Sequence, residues 1–400
     1  MGYGSGVKAG GGEAEGRILF NWLCLTLFLL PFAKVAGSVE IVVITFNPYT
    51  LGMVALAGFG VLIFFLPDSP YEINSIDGIL GLYCLTYLIS TLMSNNLIGS
   101  GRLAFHAIFI PVVSYFAIKT LITSESRYRA ALLCLVAGIA LYAVAGFAHA
   151  GIGVNRRYYL GRHPIDYATL AISALCVLGY GGWWRRPAGF LAGLASLVLL
   201  FSSLSRIYIL GFLISPAIWI AIRKGGALLI YLGLFPLSLG LTLFLALNPS
   251  FFKTHVDPQK EHEQQSASRL TDFQQMRLAL YHRAQAYEES YDRFKETPVF
   301  GHGLQVGGLN VTTHSFHMEW LEGGGIYGYV ICSLLFFAYY ARHAGPARED
   351  RLCAVHLCAV TLVFFNSLTN GVMHGMMPYI IFIHIGFGEA RRICIAHRFS

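Results

Sequence analysis

Apolar runs of about 20 residues, separated by short polar connections, recur along this chain and constrain it more than any other feature. A helix needs about 20 mostly apolar residues to cross about 30 Å of hydrocarbon. Read with that window, the 400 residues contain runs near 18–37, 47–66, 77–94, 102–121, 129–150, 165–183, 187–202, 204–222, 226–247, 315–341, 352–370 and 373–390. Hydrophobic residues make up 56% of the chain and charged ones 12%, against about a quarter charged in a soluble domain. So few charges cannot coat a water-facing surface. This excludes a soluble enzyme, a disordered regulator and a nucleic-acid binder that relies on a broad basic face. The sequence predicts an all-α polytopic membrane protein of about twelve transmembrane helices, surrounded by membrane lipids.

Its expected divisions follow from those runs. Residues 1–16 read as a disordered leader, 17–247 as nine helices, 248–313 as one large outer loop, 314–390 as three more helices and 391–400 as a tail. Orientation follows from Lys and Arg in short connections. With the N-terminus cytoplasmic, that side collects Lys119, Arg127 and Arg129, then Arg185 and Arg186, then Arg223 and Lys224, then Arg342, Arg348 and Arg351. The tail adds Arg391, Arg392 and Arg398. Against this pattern, Arg102, Arg156, Arg157, Arg162 and Arg206 fall on the outer side. Arg102 fits interfacial snorkelling; the Arg156/Arg157/Arg162 group and Arg206 point instead to an anionic ligand there.

The 248–313 segment contains seven basic and eight acidic residues, a balance unlike that of a polybasic lipid-binding patch. From Ser268 to Glu296 it contains no Gly or Pro, and Phe273, Met276, Leu280, Ala284 and Tyr287 recur at steps of three and four. That is an amphipathic helix, with Ser268 or Thr271 as its cap and Pro298 with Gly301 ending it. Arg277 shares a face with Phe273, Tyr281 and Ala284; it serves either a ligand or ion pairs with the nearby carboxylates.

His314 opens the tenth run at its outer mouth, with His317 one turn deeper and Gly323, Gly324, Gly325 and Gly328 beyond. Ionisable groups within a membrane domain are functional candidates by default. A His near its ordinary pKa of about 6.5 is largely neutral at neutral pH, so it can take a proton from a hydroxyl.

These residues resemble the shared signature of the O-antigen ligase and O-antigen polymerase superfamily, His-Asn-x-Tyr-Leu-x-x-Leu-x-Glu-x-Gly-x-x-Gly. His314, Leu321, Gly325 and Gly328 match it, with Met318 replacing a Leu. Ser315, His317 and Gly323 stand where Asn, Tyr and Glu are usual, and Glu322 lies one place early. Pro298-Val299-Phe300-Gly301-His302-Gly303 is similar to the Pro-x-x-Gly-x-Gly turn that precedes this His. Arg277 to Ala284 resembles the Arg-led loop helix, and Ser205-Arg206 the Ser-Arg pair at the outer end of a span. Gly161-Arg162-His163-Pro164, followed by Asp166-Tyr167-Ala168, echoes an earlier outer loop.

The resemblance implies a glycosyltransferase of the bacterial inner membrane with its active site facing the periplasm. Its donor would be an undecaprenyl-pyrophosphate-linked glycan. It implies His314 as general base, Arg206 and Arg277 on the pyrophosphate, and Arg156, Arg157, Arg162, Tyr281 and His317 as substrate contacts. His317 also leaves open which imidazole is the base. No cofactor or metal is required. Polymerases of this kind have two sizeable outer loops, each with an Arg followed by Gly eleven positions later. Here one loop is large and neither contains that spacing, which favours a ligase acting on lipid A–core. A polymerase, a protein O-oligosaccharyltransferase and an anion transporter remain as alternatives; a transporter would show inverted repeats and broken helices.

Overall fold

The computed structural model describes residues 10–33, 39–41, 44–64, 73–150, 164–203, 205–248, 273–304, 315–367 and 375–396, with side chains described except at 10–15, 39–41, 44–46, 59–64, 149–150 and 273–279. All of the expected apolar runs coincide with a helix. In chain order these are α1 (Gly10–Leu29), α2 (Pro48–Phe64), α3 (Ser75–Leu92), α4 (Leu97–Leu121), α5 (Glu125–Ala150), α6 (Pro164–Tyr180), α7 (Pro187–Ser202), α8 (Arg206–Arg223) and α9 (Ala227–Leu247). After them come the loop helix α10 (Phe273–Glu296), then α11 (Phe316–Ala344), α12 (Arg351–Ser367) and α13 (Met377–Ala396). Among the described residues, six helices, α3, α4, α5, α8, α9 and α11, are long and apolar enough to cross a membrane. Helices dominate because hydrocarbon offers no partner for backbone N–H and C=O groups, which a helix satisfies within itself. Between α1 and α2 lies one feature that the apolar pattern does not anticipate, a two-stranded antiparallel ribbon pairing Val39 with Phe46 and Ile41 with Ile44. The first helix starts at Gly10, inside the segment read as a leader.

The basic connections that the sequence assigns to one side meet at one end of the bundle. Arg391 bonds Asp350, at 2.7 Å from Oδ2, and also Glu125, tying α13 to the starts of α12 and α5. Glu389 accepts from Arg342 at 2.9 Å and from Asn74 at 2.8 Å, joining α13 to α11 and α3. Arg223 at the end of α8 donates to the Ala347 carbonyl at 3.0 Å.

Deepest in this cluster, Lys119 Nζ lies 2.5 Å from Asp77 Oδ2, with both side chains at most 5% exposed. Asp77 also accepts from Tyr115 at 2.7 Å and from the Asn74 N–H at 2.7 Å. Removing one member of a buried pair strands the other charge. Asp77→Ala is therefore expected to lower stability by about 3–5 kcal/mol, read as a depressed thermal midpoint in detergent. Adding Lys119→Met should restore most of the loss, and a double variant no more stable than the single one would refute the pairing.

Candidate functional site

At the opposite end, the chain reverses where a straight helix was expected. Gly325 has φ 62° and ψ −162°, a conformation essentially restricted to glycine. Along a straight helix, Phe316 and Phe336 would be separated by about 30 Å, yet their ring centroids are 6.1 Å apart. His317 likewise reaches Tyr329, twelve residues on, with Nδ1 3.0 Å from the hydroxyl. The helix α11 is thus a short half-helix, Phe316–Gly324, folded back against a long one, Ile326–Ala344. This corrects the expectation of one continuous span on which His317 lies simply one turn deeper than His314.

A reversal frees backbone groups, and the Pro298–Gly303 turn satisfies them. The Ile326 N–H donates to the Pro298 carbonyl at 2.8 Å and the Tyr327 N–H to the Val299 carbonyl at 3.3 Å. In return, the His302 and Gly303 N–H groups donate to the Glu322 and Gly323 carbonyls at 2.8 and 3.1 Å. Ser90 of α3 also donates to the Gly323 carbonyl. Gly301, at φ 72°, permits the close approach: a Cβ there would lie 2.5 Å from the Glu322 oxygen. Two glycine motifs that are more than twenty residues apart in sequence are therefore one interlocked structure.

The half-helix is buried along its whole length, from Ser315 to Gly324. His317 Nε2 lies 2.7 Å from Ser238 Oγ on α9. The Ser238 hydroxyl donates to the Phe235 carbonyl at 2.8 Å, so its oxygen accepts from an Nε2–H, and Nδ1 accepts from Tyr329. Both imidazole nitrogens are thus used to hold the half-helix to α9 and to the returning helix. His317 is fully buried between α9 and the returning helix.

On its other side the half-helix carries the loop helix. Met318 packs with Leu245, Ala246, Ala284 and Tyr287. Glu322 accepts from Ser290 at 2.5 Å and from Arg293 at 2.7 and 3.2 Å, clamping α10 to α11. Tyr287 also meets Ser315, the residue after His314, while burial pushes its hydroxyl up to about 12. It therefore stays protonated. Thr242 Oγ1 approaches Ser315 Oγ at 3.5 Å. Glu322→Ala removes the acceptor of Ser290 and leaves Arg293 only its longer 3.9 Å contact with Glu289; with Arg293 21% exposed, a loss of about 2–3 kcal/mol is expected, toward or below the low end for breaking a buried pair. Limited proteolysis should then cut α10 faster than in the parent, and unchanged cutting would refute the clamp.

The candidates from sequence are placed as follows. Arg206 is the first residue of α8, after Ser205 as N-cap, and is partly exposed. Close to it in sequence, Tyr208 bonds Thr169 at 2.7 Å and Gly211 packs against Asn366. Asp166 accepts the Met376 N–H at 2.9 Å, so the Asp166-Tyr167-Ala168 motif anchors the start of α13. Tyr281 accepts from Gln285 one turn along its own helix at 2.9 Å. Arg277 lies on α10, two turns before Ala284, with its side chain outside the described residues; His314, Arg156, Arg157 and Arg162 lie outside them altogether. The fold thus brings the Arg277 helix, the residue after His314 and the glycine turn together. Arg206 lies on a helix beyond α12, whose Phe364 touches Phe316 and whose Asn366 touches Gly211.

Sequence reasoning did not find Ser238, Tyr329, Ser290 or Arg293 as partners. Tyr287 alone was signalled, by its place in the three- and four-residue repeat of α10. No protein-family model matches the chain, and no curated protein matches it.

Proposed function

We propose that this chain is a multi-pass membrane glycosyltransferase that moves a glycan from an undecaprenyl-pyrophosphate donor to a hydroxyl of lipid A–core at the periplasmic face. The observation that carries this reading is the interlock at Gly325. It binds the Pro298–Gly303 turn, the helix bearing Arg277 and the chain directly after His314 into one packed unit. Those are three of the segments in which the sequence resembles the O-antigen ligase superfamily.

In the proposed reaction the acceptor oxygen attacks the anomeric carbon, the carbon–oxygen bond to phosphate breaks, and the polyprenyl pyrophosphate leaves. His314 takes the acceptor proton. Charge builds on phosphate oxygens as the bond breaks, and Arg suits them because its planar fork binds phosphate bidentately and stays charged. Arg206 and Arg277 take that role, and Arg156, Arg157 and Arg162 recruit the donor. Arg206→Ala and Arg277→Ala are expected to weaken donor binding as well as turnover, as measured with a labelled lipid-linked glycan; unchanged binding in both would remove the guanidinium role.

A second reading is favoured by the same helix break, because anion transporters bind their substrates at broken helices. One experiment separates the readings. Purified protein receives the lipid-linked glycan with lipid A–core, then the glycan alone. Ligation only in the first mixture supports the ligase, chain lengthening without acceptor supports a polymerase, and no turnover in either supports transport.

A further inference from the structure

At the end of the bundle that carries the cations, the turn from α11 into α12 lies against the ends of α6 and α8. Those two ends are packed together, with the Tyr180 ring stacked on Trp219 at 4.6 Å. Arg351 donates from Nε to the Tyr180 carbonyl, and Arg223 donates to the Ala347 carbonyl at 3.0 Å. Two glycines in the left-handed region seat the guanidinium groups, Gly182 at φ 84° and Gly225 at φ 88°. A Cβ at Gly182 would lie 3.2 Å from Arg351 Nη1, and one at Gly225 would overlap the Arg348 guanidinium. Arg185, Arg186 and Lys224 continue from the same two helix ends.

Helix C-termini carry partial negative charge, so cations beside them act as caps. Capping uses little of what is present here. A guanidinium has five N–H donors, and Arg351 and Arg223 each place one on a carbonyl. Other cations at this end are neutralised: Arg342 by Glu389, Arg391 by Asp350 and Glu125, and Lys119 by Asp77. Among the described residues, none of Arg185, Arg186, Arg223, Lys224, Arg348 and Arg351 is in an ion pair. Of the two acids in the turn, Asp350 is taken by Arg391 and the exposed Glu349 pairs with none of the six. All of the six except Arg223 are exposed.

The surface beside these cations is apolar. Trp184 is exposed next to Arg185, the kind of ring that sits at a membrane–water interface. Side chains four apart on a helix are neighbours. Arg186, Phe190 and Leu194 therefore form one exposed row along the start of α7, and Lys224 and Ile220 form another at the end of α8. Each row has a cation at the membrane face and apolar side chains inward of it. A phospholipid has the complementary sequence, phosphate first and then hydrocarbon. Seated Arg forks suit phosphate, and basic pockets between helix ends on the cation-rich side suit anionic headgroups. A zwitterionic lipid is disfavoured, because its own ammonium would face the unpaired cations.

We infer that this cluster binds the phosphate headgroup of an anionic phospholipid whose chains lie against α7 and α8. The site is independent of the glycosyl transfer proposed above. The test uses the full chain in a nonionic detergent, with phosphatidylglycerol or phosphatidylethanolamine added and bound lipid counted by native mass spectrometry. Phosphatidylglycerol should be retained more tightly. The Arg348→Gln/Arg351→Gln double variant should bind it about thirtyfold more weakly, since each cation near an anionic surface is worth about a factor of five. Arg17→Gln, which removes an exposed cation from α1, should bind as the parent does. If the double variant loses the parent's thermal midpoint, Arg185→Gln with Arg186→Gln removes two cations whose side chains bond nothing among the described residues, and should weaken binding to the same extent. Equal retention of the two lipids, a folded double variant with parent affinity, or the same loss in Arg17→Gln overturns the inference. Displacement of the lipid by excess inorganic phosphate also overturns it, because the site would then take a free phosphate.

Discussion

His314→Ala is expected to lower glycosyl transfer by about 10²–10⁴, the usual worth of a positioned general base, while leaving donor binding largely intact. In the proposed reaction the imidazole acts on the acceptor hydroxyl, whereas the donor is held by guanidinium groups. The competing base is His317, and its surroundings argue against it. Both of its nitrogens are engaged, by Ser238 and Tyr329, and no part of its side chain is exposed. His317→Ala should therefore act on stability: the buried Ser238 hydroxyl and the half-buried Tyr329 hydroxyl each lose a partner, where a buried group left unsatisfied costs about 1–3 kcal/mol. Measured together, rate and thermal midpoint separate the two residues. If His314→Ala keeps parent rates while His317→Ala does not, the base has been misassigned.

Gly325→Ala should be the most damaging single substitution in the fold. A side chain at φ 62° costs about 1–3 kcal/mol in backbone strain alone. Its Cβ would also lie 2.4 Å from the Val299 carbonyl oxygen and 2.6 Å from the Gly301 nitrogen, both backbone atoms that cannot swing away. The turn must then undock, releasing the four backbone hydrogen bonds that close the reversal. A total above about 4 kcal/mol is exceptional for one substitution, and the expected readout is loss of monodisperse protein on extraction. Gly240→Ala is the matched control, since a Cβ there meets nothing within 4 Å and Ala is the better helix former. Equal behaviour of the two variants would refute the account of the hairpin.

The helices were legible because lipid imposes one requirement, internal backbone hydrogen bonding over an apolar length, and composition reports it directly. The Lys and Arg of short connections were legible for a related reason, and they do gather at one end around Asp350, Glu389 and Asp77. The loop helix was legible from its repeat, to within a few residues of the Phe273–Glu296 described. Less could be read of the candidate site. The glycines at 301, 303, 323, 325 and 328 stood out, but nothing in their spacing says that the first pair docks into the break made by the others. Hydrophobic periodicity cannot register a reversal either, because a buried half-helix and the helix it packs on are both apolar.

Sequence by itself determined that the chain is a bundle of apolar helices and which of its ends carries the cations. Tertiary structure alone decided that α11 folds back at Gly325, that His317 is consumed in packing, and that Glu322 holds the loop helix through Ser290 and Arg293. The physical reason is range. Apolar length and charge are local quantities summed along the chain, whereas a hydrogen-bond partner 29 or 79 residues away is chosen only when the helices meet.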